Sequence, residues 1–150
     1  MSPRSALLAL LLLLASGMTD AQGADSDSVA ARVLPSPLRV TLTLSPTQIR
    51  PGETARAIAR VTNVGPERVT TVLLELRGDP AGLRVTGRNP RHFSNLTPDA
   101  SADAQWLACG RGPATYVLVA QARANLPSGT VIAAESDARL LAITGPPACR

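Results

Sequence analysis

The sequence predicts an all-β fold, a single sandwich of about seven short strands, on two observations. Apolar and polar residues alternate with period two over several stretches, and clusters of Gly, Pro, Asn and Asp punctuate those stretches at short intervals. Helix competes only over alanine-rich pieces such as 133–142, where the surrounding Gly and Pro favour strand.

Residues 38–44 open the series. Leu38, Val40, Leu42 and Leu44 share one face, with Arg39, Thr41 and Thr43 on the other. The turn signal Arg50-Pro51-Gly52-Glu53 leads into a second strand over 54–62, with Ala55, Ala57, Ala59 and Val61 inward and Arg56 and Arg60 outward. After Asn63-Val64-Gly65-Pro66, a third strand over 69–77 turns Val72, Leu74 and Leu76 inward, and Gly78-Asp79-Pro80 ends it. A short strand follows near 83–86, then an irregular stretch around 87–90. The fifth strand spans 101–109 and carries Trp106 among Ala102, Ala104 and Ala108. The most β-prone run is 115–124, with Tyr116 to Val119 consecutive. The turn Leu126-Pro127-Ser128-Gly129 precedes a last strand over about 130–143.

The first 23 residues predict a secretory signal. Arg4 supplies a positive n-region, and the apolar stretch 6–15 includes five consecutive leucines. That core of about ten residues is too short for a bilayer, which needs about 20. Cleavage is expected between Ala21 and Gly23. No cysteine lies nearby, so no lipid anchor is expected, and no later run reaches membrane-spanning length. Residues 24–37 read as a flexible linker ending in Pro35-Ser36-Pro37, with the domain over 38–150. The protein is expected to be exported, whether periplasmic, surface-associated or secreted.

All fifteen basic residues are arginine, and the net charge of +4 is spread along the chain without a dense run. Nucleic-acid binding calls for clustered Arg with interleaved aromatics. The chain has one Phe, one Trp and one Tyr, so that class of partner is not expected. The same scarcity leaves the core to Leu, Val, Ile and Ala, a thin filling that a covalent staple would help.

Taken in order, Leu42-Thr43-Leu44-Ser45-Pro46, Pro51-Gly52-Glu53-Thr54 and Val61-Thr62-Asn63-Val64-Gly65 resemble the opening of bacterial immunoglobulin-like accessory domains. The types are the NEW3 domain associated with alpha-galactosidases and the cell-adhesion-related CARDB domain. The resemblance continues through Asp79-Pro80-Ala81-Gly82-Leu83, residues 93–99 and Trp106. It implies an immunoglobulin-like sandwich of antiparallel strands acting as an accessory module. Asn63 and Gly65 are expected to tolerate positive φ, and Pro51-Gly52 to form a tight turn.

Cys109 and Cys149 are the sharpest chemical feature. An even pair in an exported chain reads as a disulfide, and the strand order puts both at one end of the sandwich; free thiols or metal ligation are the alternatives. Trp106 is either a core residue or a platform on which a sugar ring stacks. His92 is the one histidine, in an expected loop without a metal or catalytic motif beside it. The carboxylates are scattered, Asp25-x-Asp27 falls short of a calcium loop, and Asn95-Leu96-Thr97 matches a glycosylation sequon expected to go unused. No catalytic residue, metal site or cofactor is expected. The function expected is contact with an envelope or extracellular protein, through β-augmentation at the first or last strand. The alternative is a carbohydrate-associated module that binds polysaccharide or serves a separate glycosidase.

Overall fold

The alternating segments fold as strands, because each can bury one face and wet the other. The computed structural model describes residues 36–145. The leader, the linker up to Pro35, and Cys149 lie outside the described residues. Ten strands form: β1 (Leu38–Ser45), β2 (Gln48–Ile49), β3 (Ala55–Asn63), β4 (Val69–Arg77), β5 (Leu83–Thr86), β6 (Arg91–Leu96), β7 (Ser101–Gly110), β8 (Ala114–Asn125), β9 (Val131–Glu135) and β10 (Arg139–Ile143).

They make an immunoglobulin-like sandwich of two sheets. The first has the order β1-β3-β7-β5 and is antiparallel throughout. The second runs β2-β10-β8-β4-β6, with β9 also on β8, and is antiparallel except for the parallel β2–β10 pair. The chain changes sheets at every step from β4 to β7.

The count of ten corrects the expected seven in three places. The two-residue β2 is too short to show a period. β6 hides its alternation, since Asn95 at φ 56° interrupts the pleat between the inward Phe93 and Leu96. The expected last strand is two. Between Glu135 and Arg139 lie three residues, while their partners Gln121 and Leu118 bracket two, so β9 and β10 meet at a bulge. Ser136 fills the break: its N–H donates to the Ala120 carbonyl, and its Oγ accepts from the Ala120 N–H at 3.0 Å.

Turn chemistry is right at Gly52, whose φ of 84° follows Pro51 while the Glu53 N–H donates to the Arg50 carbonyl at 3.1 Å. It is wrong at the next turn. Neither Asn63 nor Gly65 has positive φ. Gly65 is small because Pro37 packs against it, where a Cβ would collide.

The core is built by matching large residues to small ones across the sheets. β3 contributes Ala55, Ala57 and Ala59, and it faces β4 with Leu74 and Leu76. β8 contributes Ala120, Ala122 and Ala124, and it faces β1 with Leu42 and Leu44. Facing sheets sit about 10 Å apart, and short alanines leave that gap open unless the opposite strand fills it.

Asn63 is the fully buried polar residue at the end of β3. Its Nδ2 donates to the carbonyls of Glu67 (2.7 Å) and Leu96 (3.0 Å), and its Oδ1 accepts from the Gly65 N–H at 3.0 Å. Its backbone N–H donates to Ala100 and its carbonyl accepts from Asp99. One side chain thus joins the β3–β4 turn to the end of β6. Asn63→Ala strands three backbone groups and should cost about 3 kcal/mol in urea unfolding. Thr62→Ala, on the exposed side of the same strand, should cost about 0.5 kcal/mol or less. A loss below about 1 kcal/mol for Asn63→Ala would contradict this role.

Candidate functional site

Trp106 lies on β7 between Ala104 and Ala108 and opposite Ala57 of β3. It is 1 % exposed, and its Nε1 donates to the Arg88 carbonyl at 3.0 Å. A ring enclosed on both faces cannot stack on a sugar, so the platform expectation fails here. Tyr116, near the start of β8, occupies a comparable position in the second sheet. Its hydroxyl donates to the Gly112 carbonyl at 3.0 Å, four residues upstream, the geometry of a tyrosine corner. Its ring packs where Gly82 and Gly110 leave room.

Cys109 is half-buried on β7, opposite Arg84 of β5. Cys149, its expected partner, lies outside the described residues. His92 is in strand β6 rather than a loop, exposed and opposite Leu73. Asn95 is exposed on the same strand. Among the described residues, no three of His, Cys, Asp and Glu gather as metal ligands would. No helix there is long and apolar enough to cross a membrane.

Of the two edges expected for strand addition, the first strand is a sheet end and the last is not. β1 lies alongside β9 and β10, and Arg139 of β10 donates through Nε to the Leu42 carbonyl at 2.9 Å. β10 is itself paired on both sides, by β8 and β2. The last strand is therefore paired on both sides, whereas β1, with β3 as its one sheet neighbour, remains an edge beside β9 and β10. Among the other sheet ends β2 has two residues, β5 has four, and β6 is interrupted by Asn95 at positive φ; shortness and interruption are how sheets discourage pairing. Where β4 runs past the end of β6, the Asn89 side chain takes a strand's place. Its Oδ1 accepts from the Leu76 N–H at 3.0 Å and its Nδ2 donates to the Leu76 carbonyl at 2.8 Å.

The two outer faces have different chemistry. The first sheet carries Arg39, Arg56, Arg60 and Arg84, all exposed, with one carboxylate, Asp103. The second carries Glu75, Arg77, Arg123 and Glu135, which balance. On this second face Val117 of β8 and Leu140 of β10 stand directly opposite each other, 50 % and 57 % exposed. A groove of about 470 Å³ opens at one end of the sandwich, lined by Pro37, Pro66, Leu126 and Ile132, with Glu67 the one ionisable group among the described residues there.

Arg60 and Asp103 face each other across β3 and β7 and pair through two bonds, Nε–Oδ1 at 2.8 Å and Nη2–Oδ2 at 2.9 Å. The hydrogen bond from Arg60, aided by its charge, holds the Asp103 carboxyl below the usual carboxylate range. A carboxyl depressed in the folded state stabilises above its unfolded value of about 3.9 and loses that contribution as pH falls through the lower folded value. The wild type should therefore exceed Asp103→Asn in urea midpoint at neutral pH. The gap should close in acid below the ordinary aspartate range and shrink in high salt, since both groups are exposed. A gap that persists in strong acid would show another cause.

No family model matches the chain, and no curated protein matches it. Among solved structures, it is similar to native alpha-2-macroglobulin from Escherichia coli, in a structure spanning domain MG7 to the C-terminus. Identity is 17% and the TM-score 0.59, over 73% of this chain and 17% of that one. It is also similar to the cupredoxin domain of amoB from Nitrosocaldus yellowstonii, with 9% identity and a TM-score of 0.53 over 75% of this chain and 90% of that one. The chain thus spans a small part of the macroglobulin structure. At these identities the likeness is one of fold.

Proposed function

We propose that this chain is an exported, non-enzymatic immunoglobulin-like module, of the bacterial accessory kind that the NEW3 and CARDB types represent, which works by contact with another protein of the envelope or its exterior. The observation that carries this reading is the Val117–Leu140 pair, two large aliphatic side chains exposed side by side on a charge-balanced sheet face. Adjacent exposed aliphatics gain from being covered, and Arg77, level with Val119 on the neighbouring strand, supplies a charged group beside them. The contact is face-on, through this pair, rather than by strand addition at β10, which is paired on both sides. The scattered carboxylates and the single exposed His92 support a role without catalysis.

A Val117→Asp/Leu140→Asp double variant tests the face. Both side chains point outward, so the melting temperature should hold within a few degrees. A protein recovered by the wild type from envelope extract should be lost with the variant. Recovery unaffected by the variant, or no protein recovered alongside clear polysaccharide binding, would overturn the reading.

Export and the cysteine pair belong to the same proposal. With the leader removed and Cys109 joined to Cys149, a loop of about 40 residues is closed, stabilising by about 4 kcal/mol in the chain-entropy model. The intact mass of the exported protein should lack the residues before Gln22, Gly23 or Ala24 and rise by two hydrogens on reduction. A retained leader or two alkylatable thiols before reduction would count against it.

A further inference from the structure

Arginines dispersed through the sequence are collected by the strand order onto one surface. In the first sheet every charged residue points outward, and four of the five are arginine. Register fixes their layout. Arg39 is level with Thr62 near one end, Arg60 is level with Thr41 and Asp103, Arg56 with Ser45 and Leu107, and Arg84 with Cys109 at the other end. With strands about 4.8 Å apart and about 3.4 Å per residue, the four form a diagonal stripe roughly 30 Å long from β1 to β5. The second sheet's outer face carries no net charge, so this positive stripe belongs to one side of the domain.

We propose that this face binds an acidic polysaccharide, a polymer bearing a carboxylate on each sugar. The guanidinium fork matches a carboxylate with two parallel bonds, and the face already shows such a contact in the Arg60–Asp103 pair. Between the arginines lie hydroxyls, Thr41, Thr43, Ser45 and Thr86, suited to sugar hydroxyls. The surface has no aromatic side chain, whereas single-stranded nucleic acid needs stacking platforms and protein interfaces draw on aromatic anchors. Ile58 and Leu107 are the large apolar groups exposed on it, too few to insert into a bilayer. Repeated charge and hydroxyls, with a shallow hollow of about 400 Å³ beside Arg56, Ser45 and Leu107, leave the acidic glycan as the fitting partner. This binding is independent of the Val117–Leu140 contact on the opposite face.

The test measures binding of the protein to polygalacturonate at low salt, with dextran as the neutral control. Wild type should bind the acidic polymer, weaken as salt rises, and ignore dextran. Arg39→Gln/Arg56→Gln should bind about tenfold more weakly with an unchanged melting temperature, since two charge-assisted donors are lost. Arg123→Gln, on the other sheet, should bind as the wild type does. The proposal is overturned if the wild type does not bind, or if Arg123→Gln weakens binding as much as the double variant, which would mark a response to net charge alone. Tighter binding to phosphatidylglycerol vesicles or to single-stranded DNA than to polygalacturonate would also overturn it, by assigning the face to another polyanion.

Discussion

The structure depends on how a chain with three aromatics fills the space between two sheets. Its answer is an indole set among alanines. Trp106 occupies the centre of β7, flanked by Ala104 and Ala108 and level with Ala57, where smaller side chains on every neighbouring position leave room for the one large ring. Truncating a buried tryptophan typically costs about 3–5 kcal/mol, a large share of the stability of a domain this size. The leucines of β1 and β4 complete the filling against the alanines of β8 and β3. Tyr116 anchors the crossing from β7 to β8 in the same manner, its ring bedded on glycines and its hydroxyl tied to Gly112.

This interior determines what the surfaces can do. An immunoglobulin-like sandwich that buries its tryptophan has no tryptophan platform to offer, and its last strand, paired on both sides, is closed to a new strand. The proposed contacts accordingly fall on the two outer faces. These differ in kind: one holds arginines and hydroxyls, the other a paired Val117 and Leu140 within balanced charges. Two unlike faces on one small domain suit a module that joins two different partners, which gives the alanine-rich core a functional consequence.

Much of the fold was legible in the sequence because alternation is a local signal. Leu38 to Leu44, Ala55 to Val61 and Leu74 to Leu76 each place their inward side chains by period two, and each is buried as expected. What was hidden is non-local or too short. β2 has two residues, β6 loses its period at Asn95, and the bulge at Ser136 exists only relative to β8. Asn63 looked like a turn residue because its five partners come from three other segments. The arginine stripe was invisible for the same reason: residues 39, 56, 60 and 84 become neighbours only through the order β1-β3-β7-β5. The sequence showed that the charge was dispersed; the pairing of strands decides that it is gathered.

Trp106 is the single tryptophan of the chain, so its fluorescence reports directly on the core. In the folded protein its emission should be blue-shifted, resistant to acrylamide and unchanged by added glycans, and it should shift to the red on unfolding. A red, readily quenched emission from the native protein would place the ring in water and contradict the packing on which the fold and its two working faces rest.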